Sequence, residues 1–173
     1  MTKHWAVAII LLLSTAASSQ ARNDDPQVRK ELVVSYHRMD VQLSGPGGKP
    51  LITVLNDVMA AGPYKDLLIR RARSTMAAGG DTQRGETTKV KTTITKLVVH
   101  GDVALANVYQ KGDIIERDRE GEFGPKGQIH HLIGGANFLD KWVKQSGKWR
   151  LLSEAYVSET MYVDGKKLPP PRN

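Results

Sequence analysis

The 173-residue sequence contains no cysteine. This absence excludes disulfides, and it also excludes a lipid anchor carried on a cysteine. A membrane-spanning helix needs about 20 consecutive apolar residues, whereas the apolar run near the start, Trp5 to Leu13, has nine. We therefore expect a protein that is stabilised by its hydrophobic core alone and has no stable membrane anchor.

Several sequence signatures of catalysis are also missing. There is no P-loop, no glycine fingerprint for a dinucleotide, no zinc-ligand spacing, and no serine or cysteine nucleophile motif. These absences argue against a hydrolase, a kinase or a redox enzyme. We predict no cofactor and no metal site.

Residues 1–21 have the layout of a secretory signal peptide. Lys3 precedes the apolar run, and small residues stand at Ser19 and Ala21, before a cleavage site that precedes Arg22. Cleavage there leaves 152 residues and lowers the formal net charge from +7 to +6. A chain of that length suits a single domain with a substantial core. We predict a periplasmic or secreted protein, with an uncleaved anchor as the alternative.

The distribution of the basic residues does not favour a nucleic-acid site. They are spread along the mature chain and interleaved with acidic residues. The densest group, Arg70, Arg71 and Arg73, forms one short helical face without the aromatic partners on which bases stack. We therefore interpret this group as a solvated face and predict no nucleic-acid binding.

Three helical segments come first. Asp25 followed by Pro26 is a typical helix start, and a second segment begins at Pro50. A third follows the break at Gly62-Pro63 and stops at Gly79-Gly80. The first helix has an apolar stripe at spacings of three and four residues, formed by Val28, Leu32, Tyr36, Met39 and Leu43.

Strand patterns follow, with apolar residues alternating at period two. They predict four long strands separated by a tight turn, an exposed loop over 116–126 and a second turn. Gly134-Gly135 indicates a bulge or sharp bend, and 166–173 is predicted to be a proline-rich flexible tail after a domain spanning 22–165. The predicted strands are 88–99, 103–115, 128–144 and 148–162.

The last two strands form a hairpin with apolar residues in both alternating sets. In the second strand, Trp149 and Leu151 alternate with Arg150, Leu152 and Glu154. Helices before an antiparallel meander predict an α+β fold. We expect three N-terminal helices packed on a strongly curved, mainly antiparallel sheet of four or slightly more strands, which forms a cone with a pocket at its mouth.

The stretch Asp140 to Leu152, DKWVKQSGKWRLL, resembles the terminal hairpin of the nuclear-transport-factor-2-like superfamily. The resemblance is specific over 137–157 and is only topological over the helices. It points to small exported members of unknown function, related to ketosteroid isomerase and to SnoaL-like polyketide cyclases. It implies a conical fold, frequent dimerisation through the sheet, and a pocket that catalyses in some members and only binds in others.

Asp140 is the first candidate site residue, because such relatives often place a pocket acid there. If Phe138 and Trp142 enclose it, burial would raise its pKa and let it give or take a proton near neutral pH. The alternative is an ion pair with a lysine or arginine at the sheet surface.

His130 and His131 are the next candidates for acid–base chemistry or hydrogen bonding. Adjacent strand residues point to opposite faces, so the two histidines cannot easily hold one metal ion. We expect one of them to face the pocket, and the sequence leaves open which. Further candidates are ligand-binding residues that could line such a cavity: Tyr36, Tyr109, Phe138, Trp142 and Glu154.

Two functional hypotheses follow. The first is an exported binding or accessory domain that holds a small, partly apolar molecule or pairs with a second copy through its sheet. The second is a cofactor-independent lyase or isomerase that moves a proton with Asp140 and a histidine or tyrosine. No complete catalytic set is present, so we favour binding. A third reading is a structural dimer whose cone is filled by apolar side chains.

Overall fold

The computed structural model describes residues 21–44, 51–77, 87–118 and 120–169. The predicted signal peptide therefore lies outside the described residues, except for Ala21. The predicted break at 45–48, the stop at Gly79-Gly80 and the end of the predicted tail lie outside them as well.

Three helices confirm the sequence prediction: α1 (Pro26–Leu43), α2 (Leu51–Val58) and α3 (Pro63–Ala77). Asp25 caps α1, because its Oδ1 accepts hydrogen bonds from the backbone N–H groups of Gln27 at 3.0 Å and Val28 at 3.1 Å. These donors have no partner within the helix. In the part of the chain that the structure describes, no helix is long and apolar enough to cross a membrane.

Within the described residues, the sheet has six antiparallel strands in sequential order, where we predicted four or slightly more. The four long predicted strands are present, and a two-residue strand is added at each edge. The last of these, at Lys166–Lys167, begins the predicted tail and pairs with Tyr162 and Val163. The strands are β1 (Arg22–Asn23), β2 (Thr87–His100), β3 (Val103–Arg117), β4 (Ile129–Gln145), β5 (Lys148–Val163) and β6 (Lys166–Lys167).

The sheet is strongly curled into a half-barrel, with the helices on its concave face. The register shifts at three places, where Thr95, Leu152 and Val157 are extra residues without a partner. Such bulges increase the local twist and bend of a strand. They lie on β2 and β5. At Gly134-Gly135, where we predicted a bulge or a sharp bend, both glycines pair continuously with β3 and β5, so the bulge is not present there.

Gly135 has a different role. A side chain at this position would overlap the ring and hydroxyl of Tyr109, which lies across the glycine from β3. The aromatic ring covers the backbone at a place where the strand has no side chain of its own.

The core fills the space between α1, α2 and the concave face of the sheet. Two small residues on β3, Ala104 and Ala106, lie opposite Trp142 and Asp140 and leave room for the larger side chains. Other enclosed core residues are Leu32, Val58, Met59 and Leu97.

The end of α2 is fixed to β5. Arg150 donates from its Nη1 to the carbonyls of Asn56 at 3.0 Å and Asp57 at 2.8 Å, which satisfies acceptors left free at a helix C-terminus. Beyond the helix, the backbone N–H of Ala60 donates to the carbonyl of Leu151 at 2.8 Å. These bonds cover one part of the β5 edge.

Candidate functional site

The bulge at Leu152 decides which residues share the concave face of the hairpin. Before it, Trp149 and Leu151 face the core. After it, Glu154 pairs with Asp140 and Tyr156 pairs with Phe138. Directly paired residues point to the same side of a sheet, so Glu154 and Tyr156 face the concave side together with Asp140.

Asp140, Tyr36 and Trp142 form a buried hydrogen-bonded group. The Tyr36 hydroxyl donates to Asp140 Oδ2 at 2.5 Å, and Trp142 Nε1 donates to the Tyr36 oxygen at 3.0 Å. The two rings meet edge to face at 5.2 Å. Asp140 and Trp142 are 0% exposed and Tyr36 is 3% exposed, so the network is closed to solvent.

Burial raises the pKa of Asp140 to about 7, the negative charge of Glu154 adds to the rise, and the hydrogen bond from Tyr36 opposes it. Its second oxygen, Oδ1, is buried and has no hydrogen-bond partner among the described residues. A charged carboxylate is costly in such surroundings. Asp140 is thus an acid that changes its charge near neutral pH.

The same environment raises the pKa of Tyr36. The main cause is burial, followed by the Asp140 charge and the hydrogen bond to it. Tyr36 is therefore a neutral hydroxyl that donates its proton to Asp140, and it does not act as a base.

Glu154 lies where the concave face opens to solvent. Its side chain is exposed, yet the surrounding wall of the half-barrel partly desolvates the carboxyl and raises its pKa. The Tyr64 hydroxyl, on α3, is 3.5 Å from Glu154 Oε1. Burial and the charge of Glu154 raise the pKa of Tyr64 to about 12. Glu154 forms no ion pair with the described residues.

Two aromatic rings continue the open surface next to Glu154. Phe138 is half-buried, whereas Tyr156 is 55% exposed. Their rings meet edge to face with centroids 6.2 Å apart. Along the concave face, the buried carboxyl of Asp140 is therefore followed by the accessible carboxyl of Glu154. The accessible aromatic surface of Phe138 and Tyr156 comes next.

Other candidates from the sequence lie elsewhere. Tyr109 is on the convex face, paired with Asn137. His130 is buried at the far end of β4, where its Nδ1 is 2.6 Å from Asp164 Oδ2. His131 is exposed and contacts Asp113. The structure thus brings Tyr36, Trp142, Phe138 and Glu154 to Asp140, and does not bring Tyr109 or either histidine there.

Sequence reasoning missed Tyr64 as a site residue. Its place at the start of α3, directly after Gly62-Pro63, gave no sign that its hydroxyl would reach β5. In the described ranges, no group of three or more histidine, aspartate or glutamate side chains could hold a metal ion.

A separate cleft lies between the start of α1 and the turn ends of the two hairpins. Its volume is about 720 Å³, and both acidic and basic side chains line it around the buried ring of Trp149. None of the predicted site residues lines it. The charged residues of the lining are Arg22, Asp25, Glu31 and Lys144.

No model of a known protein family matches the chain, and no curated protein matches it. Solved structures do. The Kfla4162 protein from Kribbella flavida aligns with a TM-score of 0.52 at 14% identity, covering 77% of this chain and 92% of that one. A nuclear transport factor 2 (NTF2-like) superfamily protein from Salmonella enterica serovar Typhimurium LT2 aligns at 0.50 and 15% identity, covering 76% and 90%. Identities this low show the fold alone.

Proposed function

Because the chain has the nuclear-transport-factor-2-like fold, we propose that it is an exported small-molecule-binding domain whose ligand lies on the open part of the concave face. The observation that carries this proposal is the accessible surface formed by Glu154 and Tyr156 beside the buried group of Asp140 and Tyr36. Concave surfaces that combine apolar walls with a few polar groups are typical ligand sites.

The surface favours a partly apolar ligand with one polar group. Phe138 and Tyr156 offer apolar area, and the Glu154 carboxyl and the Tyr64 hydroxyl offer hydrogen bonds. Glu154 has no charged partner in the described part of the chain. A ligand group that donates hydrogen bonds can therefore reach its carboxyl without displacing a lysine or arginine from it.

The test is native mass spectrometry of the protein purified gently from its host, followed by titration of whatever is released. Glu154→Gln and Tyr156→Ala should each weaken binding by about tenfold, the loss of about 1.4 kcal/mol. Tyr162→Ala is the matched control, because Tyr162 is an exposed tyrosine on the same strand but faces the convex side. Equal affinities in all three variants would contradict the proposal.

A cofactor-independent lyase or isomerase is the second candidate. The pKa of Asp140, about 7, suits a group that takes a proton from a carbon next to a carbonyl and returns it to another atom of the same molecule. In ketosteroid isomerase, an aspartic acid kept neutral by its apolar site helps a tyrosine to stabilise the oxyanion. Here Asp140 is fully enclosed, so we place binding ahead of catalysis.

This second candidate has its own test. A catalytic Asp140 should exchange deuterium from solvent into the carbon next to the carbonyl of a bound ketone, as seen by NMR, and the rate should follow a group that titrates near pH 7. Asp140→Asn should abolish the exchange while leaving binding intact. Binding without exchange would exclude catalysis and leave the binding proposal standing.

The proposal includes a partner and a compartment. Among the described residues, the convex face carries seven large apolar side chains that are more than one-third exposed, and a second copy of the chain would cover them. They are Leu105, Tyr109, Ile115, Ile129, Ile133, Leu139 and Tyr162. Export rests on the signal-peptide layout of 1–21, and the check is an N-terminus at Arg22 in the protein recovered from the host.

A further inference from the structure

The cleft at the turn ends of the two hairpins is a second candidate binding site. The start of α1 forms one of its walls, and the ends of β2 and β4 and the start of β5 form the other. Its volume of about 720 Å³ lies within the range of about 300 to 1,000 Å³ that is usual for small-molecule sites. Phe138, Glu154 and Tyr156 do not line it, so a ligand here would not overlap the one proposed for the concave face.

Three apolar side chains form the floor of the cleft. Val28 on α1, Val99 on β2 and Trp149 on β5 line it, and each of them is less than one-tenth exposed. Because they are buried and still line the cleft, they lie at its bottom, below the charged side chains. An apolar group of a ligand that covers this floor is removed from water, which favours binding.

Two of the four charged side chains of the cleft already have partners. Asp25 uses its Oδ1 to cap α1, and its Oδ2 is 3.6 Å from Arg22 Nη1. The backbone N–H groups of Gln27 and Val28 are therefore bonded within the chain. An anion gains little at a helix start whose N–H groups are already satisfied, so the helix end does not by itself make this cleft a site.

The other two charged side chains, Glu31 and Lys144, have no ionic partner among the described residues. Glu31 is half-buried on the α1 wall, and its Oε1 accepts a hydrogen bond from the neutral amide of Gln27 at 2.8 Å. Lys144 is on the strand wall. The cleft thus presents one carboxylate and one ammonium group from opposite walls, with an apolar floor between them.

The neighbours of Lys144 hold it at the cleft. Lys144 pairs with Trp149 across the hairpin, so the two side chains leave the same face of the sheet. The Lys144 Nζ is 5.9 Å from the centroid of the Trp149 ring, a distance at which the ring attracts a cation. The backbone N–H of Lys144 donates to the carbonyl of Asp102 at 2.8 Å, which joins β4 to the turn between β2 and β3.

We propose that this cleft binds a small zwitterion with an apolar side group, of the chemical class of the apolar α-amino acids and their dipeptides. The ammonium group of the ligand pairs with Glu31, its carboxylate pairs with Lys144, and its side group covers the floor beside Trp149. A ligand with only one charge leaves one of the two protein charges unpaired at a partly desolvated site, which is unfavourable. The proposal does not depend on ligand binding at the concave face.

Leucine and two analogues that each lack one charged group test this charge pattern. The amino group is missing from 4-methylpentanoate and the carboxylate is missing from 3-methylbutylamine, whereas the branched side group is the same in all three. Leucine should bind to the wild-type protein about tenfold more tightly than either analogue, because each analogue lacks a hydrogen bond between charged groups. Equal affinities for the three compounds would overturn the proposal.

The indole N–H resonances of Trp149 and Trp142 in a proton–nitrogen NMR spectrum locate the ligand. Trp149 lines the cleft, whereas Trp142 is enclosed beside Asp140. Leucine should shift the Trp149 resonance in a saturable way and leave the Trp142 resonance unchanged. No saturable shift up to about 50 mM leucine, where even a millimolar Kd is visible, would overturn the proposal. A shift at Trp142 alone would place leucine at the concave face and overturn it as well.

Two variants that remove one charge each assign the contacts. Lys144→Gln should abolish the preference for leucine over 3-methylbutylamine and keep the preference over 4-methylpentanoate. Glu31→Gln should do the reverse. Cleavage before Arg22 would add an α-ammonium at this cleft, and if that group bound the carboxylate instead, Lys144→Gln would keep both preferences and the role of Lys144 would be wrong.

Lys141→Gln and Glu159→Gln are the matched controls, because each removes the same charge from an exposed position on β4 or β5 that does not line the cleft. Both should keep the two preferences of the wild type. If all four variants bind the three compounds alike, Glu31 and Lys144 are not the binding groups. The concave-face variants Glu154→Gln and Tyr156→Ala are not part of this comparison, so the two binding proposals fail separately.

Discussion

Asp140 is a carboxyl group with one hydrogen-bond donor and no exposure to water. Its neutral form suits this site and its charged form does not, because the Tyr36 hydroxyl satisfies one oxygen and the second oxygen has no partner in the described structure. The Trp142 indole in turn satisfies Tyr36. At the residue scale, the properties of the site depend on this single charge.

Asp140 should make the protein less stable as the pH rises. Its pKa of about 7 in the folded state is above its value of about 3.9 in an unfolded chain, so the folded state binds the proton more tightly. Its stabilising contribution is present below about pH 4 and is lost as the pH rises through 7. The difference between these two pKa values corresponds to up to about 4 kcal/mol of folding free energy.

Asp140→Asn should remove this part of the pH dependence. Urea unfolding at pH 5 and pH 8 measures it, and the wild type should lose more stability between the two values than the variant does. Other groups titrate over the same range, so the comparison is between the two proteins and not between the two pH values alone. Parallel pH profiles for the two proteins would mean that Asp140 is charged in the folded state.

Tyr36→Phe should destabilise the protein by about 1 to 3 kcal/mol, because it leaves Trp142 Nε1 and Asp140 Oδ2 buried without a partner. It should also raise the pKa of Asp140 further, since the Tyr36 hydrogen bond is what lowers it. Urea unfolding gives the first effect, and its pH profile gives the second.

Tyr64→Phe is the control for this substitution. The Tyr64 hydroxyl is 3.5 Å from an exposed carboxyl, so its removal should change the unfolding free energy by less than about 0.5 kcal/mol. Similar losses of unfolding free energy in the two variants would show that the buried hydrogen bonds of Tyr36 contribute no more to stability than the exposed contact of Tyr64.

At the scale of elements, the bulge at Leu152 determines which residues of the hairpin of β4 and β5 lie in the candidate site. Strict alternation would place Glu154 on the face opposite to Trp149 and Leu151. The extra residue reverses the alternation and brings Glu154 opposite Asp140. The sequence around Leu152 contains no glycine or proline that would mark such a bulge.

This difference shows what sequence patterns can predict here. Period-two alternation and turn residues are local, so they predicted the four long strands to within a few residues. The network of Asp140 and Tyr36 joins residues that are 104 positions apart, and only the packing of α1 against the sheet determines it. Two-residue strands such as β1 and β6 are too short to show any periodicity.

Gly135→Ala should destabilise the sheet by about 1 kcal/mol, although alanine is ordinarily the better strand residue. The added methyl group would overlap the Tyr109 ring and force it from its place over the strand. In a Tyr109→Leu background the same substitution should be neutral or stabilising. Thermal or urea unfolding of the four proteins gives the coupling energy. If the effects of the two substitutions on the unfolding free energy are additive, the position of the Tyr109 ring does not depend on Gly135.

For the whole molecule, the two faces of the half-barrel differ in how far the described residues cover them. The helices cover the closed part of the concave face, whereas the convex face carries exposed apolar side chains on β3, β4 and β5. A monomer rarely leaves a large continuous apolar surface in water, and a stable interface needs about 800 Å² from each partner. We therefore propose that a second copy of the chain covers these side chains.

Leu139→Lys should therefore weaken dimerisation by at least about tenfold, since it places a charge in the middle of the convex face and removes apolar contact. Analytical ultracentrifugation over a range of concentrations measures the dissociation constant. Val34→Lys is the matched control, because Val34 is an exposed valine on α1 and lies away from the sheet. If the wild type is a monomer at tens of micromolar, or if both variants dissociate alike, the convex face is not the interface, and its apolar residues need another explanation.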